Sequence, residues 1–181
     1  MKAVSGVGAS IKVRNAVLEE AEILASLHVT TWQQAYDGLL PNEYLQSLTP
    51  AQRLPMWREL LDSPERVAIF VAEYEGKPIG FSCGGISNDE DAKSTTGEMW
   101  SIYLLRDFWN KGIGRELHDA LLREFEKRGF EEATLWVMES NERTRRWYER
   151  QGWTHDGSQK TMELWGSTTS EVRYWKRLQV A

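Results

Sequence analysis

Residues 97–116 read GEMWSIYLLRDFWNKGIGRE, and the rest of the chain is organised around them. Met99, Trp100, Ile102, Tyr103, Leu104 and Leu105 make a nearly unbroken apolar and aromatic run, as expected of a central strand covered on both faces. Trp109-Asn110-Lys111-Gly112-Ile113-Gly114 then leads into a segment where Ile113, Leu117, Leu121 and Phe125 recur every four residues, the spacing of one helical face. The stretch is a strand, a glycine turn and a helix start. The first N–H groups of a helix lack intrahelical partners and carry the positive end of its dipole, so anions bind there. Gly112 and Gly114 have no Cβ, which lets the main chain approach a diphosphate, while Lys111 and Arg115 add charge at the rim. A G-x-G turn alone also fits an ordinary tight turn, so the context has to decide.

Downstream, Leu135-Trp136-Val137-Met138-Glu139 reads as a second buried strand. It is followed by Asn141, Thr144, Tyr148, Gly152 and Trp153, spaced N-x-x-T-x-x-x-Y-x-x-x-G-W. Together the two halves resemble the GNAT superfamily of acetyl-CoA-dependent N-acetyltransferases. The first half resembles its R/Q-x-x-G-x-G/A phosphate loop and the second its N-x-x-A-x-x-x-Y-E-x-x-G-F segment. Two positions depart: Trp109 stands where the family usually has Arg or Gln, and Thr144 where it usually has Ala. The first departure removes one side-chain contact to the diphosphate and leaves the backbone donors in place.

Length and composition fit this reading. At 181 residues the chain is expected to be one N-acetyltransferase domain over residues 11–181, preceded by a loose tail over residues 1–10. Twenty-two Lys and Arg against 27 Asp and Glu give a net charge of −5, the wrong sign for a surface that grips nucleic acid throughout. Cys83 is the only cysteine, which excludes an intrachain disulfide and a cysteine zinc site and makes the cytoplasm the expected compartment. No apolar run approaches the ~20 residues that span a bilayer, and the first ten residues lack the core of a signal peptide.

Taken in order, Ile11 to Arg14 alternate as a first strand, and Leu24, Leu27, His28, Thr31 and Ala35 mark a helical face that ends by Gly38. Pro41 opens a short helix to Leu48, and Thr49-Pro50 supply N-cap and first-turn residues for another to about Leu61. Arg66 to Tyr74 and Pro78 to Ile86 flank Glu75-Gly76-Lys77 as a hairpin that continues to the central strand. Residues 87–94 are polar and acidic without the spacing of a calcium loop, and read as a solvated hairpin loop. A strand starting near Trp153 and a last strand from Glu171 to Leu178 complete the chain. This is the GNAT order. It implies an α/β (α+β) fold: a mixed, mostly antiparallel sheet of about seven strands, helices on both faces, and a splay between two central parallel strands.

Acyl transfer to an amine needs a deprotonated amine, an aligned thioester, oxyanion stabilisation and a proton for the departing thiolate. By the resemblance, acetyl-CoA is the co-substrate, with no metal. Its pantetheine would lie along the backbone of Ile102, Tyr103 and Leu104. Its diphosphate would lie against the backbone of Asn110, Lys111, Gly112, Ile113, Gly114 and Arg115, Asn141 would contact the pantetheine, and Trp109, Thr144 and Tyr148 complete the expected cofactor-binding set. Tyr148 aligns with the family's thiol-side general acid, and a core or hydrogen-bonding tyrosine is its plain alternative; for Asn141 that alternative is helix capping. Glu98, fourteen positions before Gly112, stands where some members place a general base, and a merely solvated glutamate reads equally from the sequence. Glu139 is the second candidate. Trp32, Tyr36, Trp57 and Tyr103 are candidates for an aromatic box around a cationic acceptor, or simply core. His28, His118 and His155 have no metal-ligand spacing, and Cys83 lacks the neighbours of an activated nucleophile, so direct transfer through a ternary complex is expected.

The expected acceptor is a primary amine of a small molecule, with no membrane partner, nucleic acid disfavoured by the acidic balance, and a homodimer allowed. The alternatives are a protein N-terminal or lysine acetyltransferase, an aminoacyl-tRNA acetyltransferase, and a CoA-binding module without turnover.

Overall fold

The computed structural model describes residues 11–164 and 167–179, so the expected tail over residues 1–10 lies outside the described residues. Seven strands are arranged in one sheet: β1 (Ile11–Asn15), β2 (Val67–Tyr74), β3 (Lys77–Ile86), β4 (Thr96–Leu104), β5 (Glu132–Met138), β6 (Thr154–Leu164) and β7 (Ser167–Arg177). Their order is β1-β2-β3-β4-β5-β7-β6, antiparallel except where β4 meets β5. Among the described residues the α-helices are α1 (Ala21–Ala35), α2 (Asn42–Ser47), α3 (Pro50–Leu61), α4 (Ile113–Lys127) and α5 (Glu142–Arg150).

The apolar spacing becomes burial as expected. On α4, Ile113, Leu117, Leu121 and Phe125 are each at most 1% exposed, and Gly97 on β4 lies against Phe125 and Phe130. The opposite face of the sheet is covered by α1 and α3, whose Leu24 and Trp57 are fully buried against Val71, Phe81 and Cys83. Fully burying such side chains stabilises by about 1.5–3 kcal/mol each, so both layers hold the sheet firmly. At the start of α3, the Thr49 N–H donates to Gln52 Oε1 at 2.8 Å, the returning bond of a capping box, and Pro50 follows in the first turn, where its missing N–H costs nothing.

Two features of β4 open the sheet. The parallel ladder with β5 pairs only Thr96, Gly97 and Glu98 with Glu132, Ala133 and Thr134. Beyond Glu98 the strands part. On the other edge, Ser101 faces Cys83 and Met99 faces Gly84, which leaves Trp100 as an extra residue in a β-bulge, the irregularity that bends a strand away from its ladder.

The edge hairpin differs from the sequence expectation. The last strand begins at Ser167, four residues before Glu171, because its polar start pairs with the end of β6, and an edge hairpin needs no apolar alternation there. The acidic loop also differs. Asp91 accepts two Arg173 hydrogen bonds at 2.6 Å, and Asp89 takes Arg173 Nη1 at 3.2 Å and Trp136 Nε1 at 2.9 Å. The loop is therefore strapped over β5 and β7 instead of lying free in solvent.

Candidate active site

The gap between β4 and β5 forms one end of a cleft of about 440 Å³. The cleft runs from Asn110, Gly112, Gly114 and Arg115 at the start of α4, past Ile102, Tyr103 and Leu104, to Tyr36, Tyr148, Ser101 and Trp136. Strand divergence, the glycine turn and the start of α5 thus meet in a single cavity.

At the loop end, Asn110 (φ 60°) and Gly112 (φ 85°) both adopt the left-handed conformation. Asn tolerates it through its short polar side chain, and Gly112 has nothing within 4 Å of where a Cβ would stand. Such alternation turns successive N–H groups to one side, an anion-binding concavity continuous with the free N–H groups of Ile113 and Gly114. A Cβ on Gly114 would meet the Trp147 ring at 3.7 Å, so glycine also widens the cleft where α4 and α5 approach. Trp147, which sequence reasoning missed as a wall residue, lines it. Lys111 stays exposed over the Phe108 ring at 5.4 Å, and Ile113 is 1% exposed, so only its main chain can face a ligand. Arg115 is engaged with Asp119 at 3.5 Å.

Along the gap the three expected backbone residues are not equivalent. The Leu105 N–H donates to Ile79 on β3, so by alternation the N–H and C=O of Ile102 point into the gap and those of Tyr103 point at β3. Leu104 C=O also faces the gap but accepts a 2.7 Å hydrogen bond from Trp109 Nε1. The free main chain is therefore chiefly that of Ile102, and Tyr103 contributes its side chain. Opposite, Asn141 Oδ1 accepts the Thr144 N–H at 3.2 Å and caps α5 while lining the cleft, so capping and a place in the wall hold together.

At the inner end three phenols converge. Tyr36 and Tyr103 share a 2.9 Å hydrogen bond between their hydroxyls. Tyr148 is 6% exposed, and burial, followed by the influence of Tyr36, pushes its hydroxyl well above the ordinary tyrosine value. A group so shifted stays protonated and can act only as an acid at neutral pH. Burial likewise raises the Cys83 thiol to about 11, with Ser101 Oγ at 3.0 Å, which suppresses the thiolate a nucleophile would need.

Glu98 does not line the cleft. It lies half-buried where β4 still pairs with β5, and its Oε2 is 3.4 Å from both the Asn88 N–H and Ser87 Oγ. Burial first, and Asp89 next, raise its pKa above the ordinary carboxylate value. Glu139 is exposed and accepts from Gln159 at 3.1 Å.

The expected aromatic box does not form around an open space. Trp57 is fully buried in the core beside Phe81. Trp32 has the Arg53 guanidinium 5.1 Å from its ring, so a cation already covers it, and neither tryptophan lines the cleft. Tyr36 and Tyr103 do. The reason is tertiary: α3 packs directly on α1, which turns the helical aromatic spacing inward. His28 is enclosed by Trp32, Trp57, Phe81 and Tyr103, and burial lowers its pKa to about 4.

Among the wall residues that sequence reasoning did not single out, Trp136, Trp147 and Arg143 come from β5 and α5, where the pattern reads equally as core or as solvated charge. For Arg143 a signal did exist. It is a cation in the first turn of a helix, where the dipole disfavours one.

With this geometry in view, the comparisons with known proteins agree. Residues 29–153 match the model of the acetyltransferase (GNAT) family. The chain is 32% identical over 133 residues to the uncharacterised N-acetyltransferase YuaI of Bacillus subtilis, covering 72% of this chain and 73% of that protein. It shares its fold with the PaiA N-acetyltransferase of Thermoplasma acidophilum, solved in complex with coenzyme A (TM-score 0.73, 21% identity, 93% of this chain and 99% of that one). YncA of Salmonella typhimurium, a putative acetyltransferase solved with acetyl-CoA, matches similarly (TM-score 0.71, 17% identity, 93% and 94%). The chain belongs to the acetyltransferase (GNAT) family and is an N-acetyltransferase.

Proposed function

We propose that the chain moves the acetyl group of acetyl-CoA directly to a primary amine of a small molecule, through a ternary complex. The observation that carries this reading is the continuity of the cleft from the α4 start to the three tyrosines. In this reading the diphosphate lies against the main chain from Asn110 to Arg115, and the pantetheine completes the gap as an added strand paired with Ile102. Holding the thioester beside the amine supplies an effective molarity of about 10⁵–10⁸ M, so positioning outweighs any one side chain.

An ammonium of pKa near 10.4 is only about one part in 10³ neutral at pH 7, and Glu98, through a water, takes its proton. The free amine attacks the thioester carbonyl; as the intermediate collapses the C–S bond breaks, Tyr148 gives its proton to the departing sulfur, and the remaining proton of the attacking nitrogen returns Tyr148 to its protonated form. Tyr36 and Tyr103 line the acceptor end. Nothing in these steps calls on a metal. The buried Cys83 fits direct transfer without an acyl-enzyme, and a reducing compartment such as the cytoplasm suits a single free thiol. Among the described residues no helix is long and apolar enough to cross a membrane.

The test is release of free thiol from acetyl-CoA with a panel of polyamines, amino acids and amine antibiotics, run beside peptide and aminoacyl-tRNA acceptors. Acceleration by a small amine is the expected result. Turnover with peptides or tRNA alone would move the acceptor class, and CoA binding without turnover on any acceptor would leave a binding module.

A further inference from the structure

Trp109, at the entrance to the glycine turn, gives the loop an indole and no cation at that position. The opposite wall supplies one. Arg143, in the first turn of α5, lies with its guanidinium 3.6 Å from the centroid of the Trp109 ring, and both residues line the cleft with Gly112 and Gly114. The indole is itself fixed, since its Nε1 donates to Leu104 O at 2.7 Å. The stack therefore reaches across the cleft from one wall to the other, at the height of the anion-binding turn.

Three observations indicate that this cation is kept for an anion. Among the described residues Arg143 makes no ion pair, whereas Arg106, 5.4 Å from the same ring, is held by Asp37 and by the Gln34 carbonyl. Its place in the first turn of α5 opposes the helix dipole, which favours residues such as its neighbour Glu142. It also stands near a like charge: desolvation first, and Arg106 next, lower its pKa from the ordinary arginine value. Stacking on the half-buried indole is a weak cation–π contact set against an opposing dipole and a like charge, so stability alone gives little reason for arginine here. An anion seated between the turn and α5 would answer all three.

We propose that Arg143, held on the face of Trp109, is a side-chain cation that grips the diphosphate of the cofactor from the α5 wall, opposite the main-chain donors of the turn. The proposal rests on the reading of this cleft as the acetyl-CoA site. A planar guanidinium suits the task, because it can stack with its face and donate two parallel hydrogen bonds with its edge.

Calorimetry of CoA and of dephospho-CoA, which lacks the 3′-phosphate, tests the assignment on the wild type, Arg143→Ala, Arg143→Lys and the double variant Trp109→Arg/Arg143→Ala. Losing a hydrogen bond to a charged group should weaken binding about ten- to a hundredfold, by the same factor for both ligands. Lysine should recover only part of it, and an arginine at position 109 should recover most, since it returns a cation to the loop. The melting temperature of Arg143→Ala should be no lower than that of the wild type. Affinities within twofold of wild type would overturn the proposal. So would a loss confined to CoA, which would put Arg143 at the 3′-phosphate, or a double variant no better than Arg143→Ala. Gly112→Asp separates the two levels: if it abolishes binding while Arg143→Ala does not, only the role of Arg143 fails, and if neither matters, the cofactor reading of the cleft fails.

Discussion

The cleft has two ends built on different principles. The end proposed for the cofactor is made of neighbours in sequence: a strand, a turn with two left-handed residues and a helix start follow one another from Thr96 to Lys127. The acceptor end is assembled from afar. Tyr36 meets Tyr103 across 67 positions. Anion binding by main-chain N–H groups depends on backbone conformation, so it is written in glycines at fixed offsets, whereas an acceptor wall depends on side chains that only folding brings together. The two ends should therefore fail differently when perturbed.

The largest effect is expected at Glu98. Glu98→Gln should lower kcat/KM at neutral pH by about 10²–10³, within the range of general-base catalysis, and the loss should shrink as pH approaches the amine's pKa. A pH–rate curve overlaying that of the wild type would exclude Glu98 and turn attention to Glu139 or to a water held by backbone carbonyls. Stability should move the other way. Because the folded pKa of Glu98 is raised, its stabilising contribution is present below the ordinary value of 4.5 and is lost as pH rises through the folded value. The variant should thus melt higher than wild type at pH 7, with the gain fading below pH 4.5. Opposite signs for rate and stability would mark a group kept for chemistry.

Tyr148→Phe comes next, with kcat expected to fall about ten- to a thousandfold while CoA affinity barely changes. A thiol is a fair leaving group unaided, which sets the lower bound. Unchanged kcat where chemistry limits turnover would reduce Tyr148 to packing. Loss of CoA affinity with normal kcat would instead assign it to the cofactor end and blur the division between the two.

A smaller effect is expected behind the acceptor wall. His28 is held neutral by burial, with its pKa lowered from 6.5 to about 4. Between those values the unfolded chain binds a proton that the folded chain refuses, so stability falls as pH drops from 6.5 to about 4, by at most ~3 kcal/mol. His28→Phe should flatten that slope in thermal melts without altering CoA affinity. An unchanged slope would attribute the acid sensitivity elsewhere, His118 being the other buried histidine whose pKa burial lowers.

The same division explains how much could be read beforehand. The glycine turn, the α4 face, the place of Tyr148 in the cleft wall and the order of elements were legible because each depends on short-range spacing, and so was the parting of the central strands through the resemblance those residues carry. The box of Trp32 and Trp57 was not, because spacing on α1 and α3 is the same whether aromatics face a ligand or each other, and the packing of the two helices decides it. Asp89 and Asp91 read as solvated until Arg173, far along the chain, reaches them. That only Ile102 offers both main-chain groups to the gap depends on hydrogen-bond direction and on Trp109 Nε1, neither of which composition records.

The central claim is that the start of α4 binds the cofactor's diphosphate, and calorimetry of CoA against the wild type and Gly112→Asp tests it most directly. The position is open, with nothing within 4 Å, so the variant should remain folded at a cost of about 1–2 kcal/mol for the left-handed backbone. The introduced carboxylate would stand where the anion must sit. We expect CoA affinity to fall at least tenfold, and a folded variant that binds CoA as tightly as the wild type would contradict the claim.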